Sequence, residues 1–337
     1  MSKKKSIVLS IVIAFIIINI GVSFGSSDID LFDSMSIIAN KTLNLPLSEN
    51  IQDKDIAIIW KIRLPRVLLA FLVGGCLASS GAVVQSMLKN QLASPYTLGV
   101  SSGASFGAAL VTITGISIPF LGEFTLPIVG FIFGIITVIS VIKFSSKIDK
   151  NLSNNTVILA GMVFSLFVNA LLTTIMALNT ESMKSLSLWQ MGSFAMKGWS
   201  YVYIIIPFTI IGMIGVLKYT REMDILTFGE QEAMAIGVNV EKIKKQLFIF
   251  STVLTSGAVS LSGTIGFVDL IAPHVVRKIF GSSHKYVIPM TFIFGGSLMV
   301  ITDLIARIII TPSELPVGAV TAIIGAPFFA YVYFKKR

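Results

Sequence analysis

The chain has 337 residues, of which 54% are apolar and only 13% are charged, and its mean hydropathy is +0.86. Soluble domains carry about 25% charged residues, so the composition excludes a soluble globular protein and predicts a polytopic membrane protein. The net charge of +9 does not indicate nucleic-acid binding, because the basic residues lie in short connections between apolar runs, as membrane topology requires. The single cysteine, Cys76, excludes a disulfide within the chain.

The first apolar run, from Ser6 to Phe24, follows three lysines and has about 19 residues. Its charge and apolar core are those of a signal peptide. The run is nevertheless long enough to span a membrane, and no small-x-small cleavage site follows it. We therefore expect a retained first transmembrane helix.

Apolar runs of spanning length recur along the chain, at 6–24, 66–86, 96–114, 119–142, 156–178, 200–217, 246–263, 286–308 and 317–334. Residues 266–281 (GFVDLIAPHVVRKIFG) are too short and too polar for a lipid-facing span, and we expect a short helix there, buried among the others. The sequence thus predicts an all-α membrane protein of about ten transmembrane helices, forming one domain over 1–337. The longest non-apolar stretches, about 25–60 and 218–245, do not suit a soluble domain.

The distribution of basic residues predicts the orientation in the membrane. With the N-terminus inside, 18 of the 26 lysines and arginines fall in cytoplasmic connections, and both chain termini are cytoplasmic. The first outside loop is acidic, and its carboxylates are Asp28, Asp30, Asp33, Glu49, Asp53 and Asp55.

Three arginines depart from this distribution, because the predicted topology places Arg63, Arg66 and Arg307 on the outside of the membrane. Arg63 and Arg66 are three residues apart and would share one face of a helix, with Pro65 suited to its first turn. One explanation is that their side chains extend to lipid phosphates. The other is that they form a functional surface.

Two inside connections carry polar groups. In QSMLKNQLASP (85–95), Gln85, Asn90 and Ser94 suit either a tight turn or a polar constriction at the inner mouth of a pathway. In the longer connection, residues 227–237 favour a short amphipathic helix that ends at Gly237. Such a helix would lie on the membrane surface or dock onto a cytoplasmic partner, and its acidic residues favour a partner over anionic lipid.

Asp269 and His274 are the ionisable residues within apolar surroundings that most suggest a function. A proton relay through them would make the protein an ion-coupled secondary transporter. A metal site is poorly supported, since the chain has only two histidines, ten residues apart. No phosphate-binding G-x-x-x-x-G-K-[ST] loop or catalytic motif is present, so we expect no catalytic residues and no ATP binding by that loop.

Six segments in collinear order resemble one family: RLPR at 63–66, SGAVVQSMLKNQLASPYTLGVSSGA at 80–104, WQMGSF at 189–194, LTFGEQEAMAIGVNV at 226–240, SGTIGFVDLIAPHVVRKIFG at 262–281 and ELPVGAVTAIIGAPFF at 314–329. Over nearly its whole length the chain is similar to the permease subunits of type II ATP-binding-cassette (ABC) importers for iron–siderophore complexes, haem and cobalamin. It departs from the usual Asn-Pro-Leu-Ala pattern at Gln91, which replaces the proline and leaves the shape of this inner turn open.

The resemblance implies a pathway between two permease subunits, identical or paralogous, in the cell membrane. It implies two cytoplasmic ATPase subunits that use the ATP, and an extracytoplasmic substrate-binding lipoprotein or periplasmic protein. The permease itself would bind no cofactor or metal and would not be an enzyme. The expected cargo is a ferric siderophore, with haem or cobalamin as alternatives. Outside the family, a secondary transporter and a membrane-embedded enzyme are the competing hypotheses.

The resemblance also implies roles for particular residues. Arginines at the positions of Arg63, Arg66 and Arg307 face acidic residues on the two lobes of the binding protein in similar proteins. The segment at about 227–240 would couple to the ATPases, through Thr227, Gly229, Glu230, Ala233, Ala235, Gly237 and Val238. An inner gate would be lined by Asn90, Leu92, Asn154 and Asn155. His274 would have a structural role, which weakens the relay hypothesis.

Overall fold

The computed structural model describes residues 3–25, 29–47 and 51–334, with side chains as far as residue 331. The chain ends at 1–2 and 335–337, for which a cytoplasmic location is expected, lie outside the described residues. So do Asp28 and Glu49 of the predicted acidic loop.

The described residues form an all-helical structure without strands. Its helices are α1 (Lys3–Ser23), α2 (Leu31–Leu43), α3 (Asp53–Ala57), α4 (Leu64–Met87), α5 (Val100–Thr114), α6 (Thr125–Ile148), α7 (Asn154–Leu178), α8 (Thr180–Gln190), α9 (Trp199–Leu217), α10 (Thr220–Phe228), α11 (Glu230–Ala235), α12 (Val240–Ser262), α13 (Val268–Phe280), α14 (His284–Ile308) and α15 (Val317–Phe334). Short 3₁₀ turns lie at Pro95–Leu98 and Gly122–Phe124.

Each of the ten predicted membrane segments is helical, as α1, α4 to α7, α9 and α12 to α15. Six helical stretches of the described chain are long and apolar enough to cross a membrane: Lys3–Ser23, Asp53–Met87, Gly122–Ile148, Asn154–Leu178, Trp199–Leu217 and His284–Ile308. The predicted short helix at 266–281 is α13, with 13 residues. An integral membrane protein with an all-α fold is therefore confirmed.

The stretch at 25–60 is more ordered than its sequence suggested, because it contains α2 and α3. Asp30 caps α2 by accepting a hydrogen bond from the main-chain nitrogen of Leu31 at 2.8 Å. A π-helical turn, Ile58–Arg63, joins α3 to α4, so residues 53–87 form one helical stretch of 35 residues. Arg63 and Arg66 lie on this stretch.

Helix α4 is the centre of the bundle and is buried along almost its entire length, with α9, α12, α13 and α14 packed around it. At Gly81 a Cβ atom would lie 2.1 Å from the main-chain oxygen of Asp269 on α13, so only glycine allows this approach. A second backbone contact of this kind joins α7 to the 3₁₀ turn after α4, because a Cβ atom on Gly161 would lie 2.1 Å from the oxygen of Thr97.

Helix α7 is the least buried of the long helices. Only 17% of its apolar stretch is buried within the chain, and Leu159, Leu166 and Phe167 are 60%, 71% and 61% exposed. This face is available to lipid or to another subunit.

Candidate functional sites at the two ends of the bundle

An arginine cluster lies at the end of the bundle where α4 begins and α14 ends. The Arg66 guanidinium pairs with Asp303 and with Glu314, each at an N–O distance of 2.9 Å. Arg307 pairs with the same Asp303 at 3.2 Å. The Asp303 side chain is fully buried, whereas that of Glu314 is 38% exposed. One buried carboxylate therefore serves two buried arginines.

Arg63 and Arg307 also stabilise the C-terminal end of α1. Arg63 donates to the main-chain oxygens of Ser23 at 2.5 Å and Val22 at 3.4 Å, and Arg307 donates to that of Gly21 at 2.8 Å. The last carbonyls of a helix have no partner within it and favour nearby cations, which these side chains supply.

The three predicted docking arginines are thus brought together, but they are only 5–8% exposed and point into the protein. Extension of their side chains to lipid phosphates is not supported, because hydrogen bonds and ion pairs direct them to acceptors of the chain itself. Their docking role stays a prediction. Their internal partners Asp303 and Glu314 were missed by the sequence reasoning, although Asp303 lies four residues before Arg307, the spacing of a helical ion pair.

The predicted coupling segment lies at the opposite end, between α9 and α12. The expectation of one amphipathic helix over 227–237 is wrong, because the chain leaves the helical conformation at Gly229, with φ of +156°. Thr227 belongs to α10, whereas Glu230, Ala233 and Ala235 belong to the six-residue α11. Gly237 and Val238 follow α11 in the connection to α12.

This segment exposes apolar side chains next to its acidic residues. Phe228, Met234 and Ile236 are 83%, 42% and 68% exposed, while Ala233 is buried against the bundle. Exposed apolar residues clustered on a short element suit contact with a protein partner.

Lys244 on α12 connects the coupling segment to the predicted gate. Its ammonium is 2.5 Å from the Glu230 carboxylate, 2.9 Å from the Leu152 main-chain oxygen and 3.4 Å from Asn154 Oδ1. Asn154 in turn donates to the Leu88 oxygen at the end of α4 at 3.0 Å. The Lys244 side chain is only 1% exposed. In the sequence, Lys244 contributes only to the cytoplasmic charge bias, because Leu152 and Asn154 lie about 90 positions away.

Residues 88–94 form the predicted tight turn, and Gln91 is accommodated in it. Asn90 Oδ1 accepts from the main-chain nitrogen of Leu92 at 2.9 Å, and the Ala93 nitrogen donates to the Asn90 oxygen at 3.0 Å. Asn90, Leu92 and Asn155 are exposed. Asn154 thus contacts the start of the turn that carries Asn90 and Leu92, which is consistent with a common mouth.

Asp269 and His274 have separate environments on α13. Asp269 is buried and accepts a hydrogen bond from Ser94, the last residue of the turn, while Gln85 donates to the Asp269 main-chain oxygen at 3.2 Å. The His274 ring packs edge-on against Phe328, with 6.4 Å between ring centroids. Among the described residues, no group of three or more His, Cys, Asp or Glu side chains could hold a metal ion.

A set of hydrogen bonds that the sequence did not predict joins α10, α14 and α4 at the end of the bundle that carries the predicted coupling segment. His284 Nδ1 lies 2.5 Å from Asp224 Oδ1, and its Nε2 pairs with the Ser86 hydroxyl. Asp224 also accepts from the His284 main-chain nitrogen at 2.8 Å. This arrangement holds α10, which leads into the predicted coupling segment, against α4.

A polar recess of about 300 Å³ lies between α5 and α7. It is lined by hydroxyl, amide and apolar groups without any charged side chain: Tyr96, Ser101, Ser102, Ser105, Ser165, Asn169, Leu172, Gln190 and Thr264. Such a surface offers hydrogen bonds to a passing solute without an ionic partner.

Comparison with known proteins decides the family, since residues 11–335 match the FecCD transport family. The chain belongs to this family. It is 41% identical over 280 residues to the uncharacterized ABC transporter permease protein YvrB of Bacillus subtilis (strain 168), covering 83% of this chain and 79% of the relative. It is 33% identical over 339 residues to the Fe(3+)-citrate import system permease protein YfmD of the same organism, covering 100% of this chain and 96% of the relative.

Among solved structures, this FecCD chain is similar to an inward-facing conformation of a metal-chelate type ABC transporter. The TM-score is 0.85 and the sequence identity is 30%, over 98% of this chain and 99% of the other. The type II permease fold expected from the sequence is therefore confirmed.

Proposed function

We propose that this FecCD chain is the membrane-spanning permease subunit of an ATP-driven importer whose cargo is a ferric chelate of the siderophore type. The relatives named as ABC transporter and Fe(3+)-citrate import permeases support this assignment. The whole chain would be one transmembrane domain in the cell membrane, with both termini in the cytoplasm. It would bind no cofactor, and ATP would be used by two separate ATPase subunits.

The observation that carries the proposal is the contact of one buried ammonium, that of Lys244, with both Glu230 and Asn154. A segment that is held by an ATPase and displaced on ATP binding would move Glu230. Through Lys244 that displacement would reach Asn154 at the start of α7, and through Asn154 the Leu88 oxygen at the end of α4. Rigid packed links of this kind transmit switching motions.

The opposite end would receive the substrate-binding protein, with Arg63, Arg66 and Arg307 as its predicted docking residues. The accessible Glu314 belongs to the same cluster, so docking would act on a charge network and not on isolated arginines. The exposed face of α7 would pack against a second permease subunit, either identical or paralogous. The uncharged recess between α5 and α7 would then border a pathway through which a bulky chelate passes without a tight ionic site.

The test is uptake of radiolabelled iron, supplied as ferric citrate and as a panel of ferric siderophores, by cells with and without the gene. We expect uptake of at least one chelate to be lost without the gene and restored by its return. Excess unlabelled haemin and cobalamin distinguish the alternative cargoes, because only a true cargo competes. Unchanged iron uptake together with gene-dependent uptake of haem or cobalamin would replace the ferric-chelate assignment.

The energy source separates the importer from an ion-coupled secondary transporter using Asp269. Depleting ATP while preserving the ion gradient should abolish uptake by the importer. Continued uptake, lost when the gradient is collapsed, would favour the secondary transporter.

Docking requires a test that separates recognition of the binding protein from folding of the permease. Arg63 and Arg307 also bind the C-terminal end of α1, and Arg66 pairs with Asp303 on α14. Arg63→Gln should lower uptake more than it lowers the amount of folded permease in the membrane. Lys61→Gln changes an exposed cation on the same helical stretch and serves as the control. Uptake that falls only in proportion to the folded permease would assign Arg63 a structural role alone.

A further inference from the structure

A second recess, of about 290 Å³, lies at the coupling end among α4, α10, α13 and α14. Its wall includes Lys89, Asn90, Thr227, Arg277, Ser282 and His284. Every one of these side chains can donate a hydrogen bond, and no carboxylate lines the recess.

The cationic groups of the recess lack acidic partners. Arg277 donates to Gln85 Oε1 at 2.5 Å and to the Ala82 main-chain oxygen at 3.2 Å, and both acceptors are neutral. Within the described part of the chain, no ion pair forms at Arg277 or at Lys89. The partly buried Arg277 therefore differs from Arg66 and Arg307, which pair with Asp303.

The carboxylate next to the recess is directed elsewhere. Asp224 accepts from the main-chain and ring nitrogens of His284 through Oδ1 and from the Ser283 hydroxyl at 3.1 Å through Oδ2. Both of its oxygens are thus used at the start of α14. Asp224 forms no ion pair with Arg277 or with Lys89 among the described residues.

We propose that this recess binds a small oxyanion, namely a phosphate or carboxylate group, between Arg277 and Lys89. The guanidinium is a planar fork that matches two oxygens of such a group, and the lysine adds a point charge. The Ser282 hydroxyl supplies a neutral donor on another wall, whereas the Thr227 hydroxyl already donates to the Asp224 main-chain oxygen at 2.6 Å. A bound anion would compensate a partly desolvated cation that the chain itself does not neutralise.

The position of the recess gives the anion a structural consequence. Lys89 precedes Asn90 in the turn at the end of α4, Thr227 begins the predicted coupling segment, and Arg277 belongs to α13. An oxyanion held by Lys89 and Arg277 would join the turn at 88–94 to α13, beside the start of the predicted coupling segment. The oxyanion site would be present whatever cargo the permease carries.

The test uses the full-length chain in nanodiscs of phosphatidylcholine, with thermal unfolding followed at constant ionic strength. Replacing chloride by inorganic phosphate or by citrate should raise Tm saturably. Lys89→Gln should weaken the apparent affinity about tenfold or more, because an exposed side chain without an internal ion pair is removed. Lys143→Gln, which changes an exposed lysine near the end of α6, should leave it unchanged.

The sources of the oxyanion are separated by a second set of nanodiscs that contains phosphatidylglycerol. If the lipid headgroup occupies the recess, Tm is already raised there in the wild type but not in Lys89→Gln, and added phosphate has no further effect. Phosphate or citrate effects that persist in these nanodiscs assign the site to a soluble anion. A Tm that does not respond to phosphate, to citrate or to phosphatidylglycerol would overturn the proposal, and so would an equal response in Lys89→Gln.

Discussion

The Lys244 ammonium lies 2.5 Å from the Glu230 carboxylate, and this ion pair is a direct charged contact between α11 and the buried side of α12. Its energetic weight differs from that of the neighbouring pair Lys245–Glu241, which has the same N–O distance. Lys244 is 1% exposed, whereas Lys245 is 35% exposed and screened by water. The two pairs therefore provide a matched comparison.

Glu230→Gln is expected to destabilise the protein by about 1–3 kcal/mol, because the buried Lys244 loses its charged partner while retaining the Leu152 oxygen. It should also reduce ATP-dependent uptake beyond the loss of folded protein. Thermal unfolding and uptake per folded molecule measure the two effects. Glu241→Gln should change the unfolding free energy by less than about 1 kcal/mol. Equal effects of the two substitutions would contradict a special role for Lys244.

Asp303→Asn removes the carboxylate that Arg66 and Arg307 share. Breaking a buried ion pair by removing one partner costs about 3–5 kcal/mol, so we expect a large drop in Tm and in the yield of folded protein. Glu314→Gln should cost much less, because its side chain is 38% exposed and Arg66 keeps Asp303. Thermal unfolding in detergent checks both variants, and a mild effect of Asp303→Asn would show that the arginines find other acceptors.

Gly81→Ala tests the backbone contact between α4 and α13. The added methyl group would lie 2.1 Å from the Asp269 oxygen, so the two helices must separate. Overpacking typically costs about 1–3 kcal/mol, and a main-chain contact cannot relax by a rotamer change. Gly266→Ala is the control, since nothing lies within 4 Å of a Cβ atom there. Comparable Tm values for the two variants would argue against the close contact.

Lys197, in the connection between α8 and α9, should give stability a pH dependence. Burial lowers the pKa of its ammonium from the ordinary 10.5 to about 8. Between these two values the unfolded chain binds more protons than the folded chain, so the free energy of unfolding rises with pH in this window. Below about pH 8 the group is charged in both states and contributes no slope.

The measurement compares Tm of the wild type and Lys197→Met at about pH 7.5 and about pH 9.5. The wild type should gain Tm relative to the variant at the higher pH. A difference between the two proteins that does not change with pH would show that Lys197 titrates normally.

The membrane helices were predictable because their signal is local. An apolar run long enough to span the membrane must be helical, because only its own hydrogen bonds can satisfy its main-chain N–H and C=O groups there. The same signal does not detect α2 and α3, whose residues are partly polar and whose first turns are fixed by capping. The break at Gly229 was also missed, since glycine is compatible with a short helix and only the φ value reveals the turn.

The candidate sites were less predictable, because their contacts join residues far apart in sequence. Arg66 and Asp303 are separated by 237 positions, and no pattern around either names the other. In the sequence, Lys244 likewise cannot be distinguished from the other lysines of the predicted cytoplasmic connections. Only the structure shows its contacts with Leu152 and Asn154. The resemblance to a family supplied the expected roles, whereas the internal partners came only from the structure.

The two backbone contacts at Gly81 and Gly161 restrict how the bundle can deform. The first brings the α4 main chain against the Asp269 oxygen of α13, and the second brings α7 against the 3₁₀ turn Pro95–Leu98. The short stretch 88–94 links the two contacts and is crossed by side-chain hydrogen bonds from Asn154 to Leu88 and from Ser94 to Asp269. A larger side chain at either glycine would therefore disturb more than one helix pair, because α4, α7 and α13 meet through this turn.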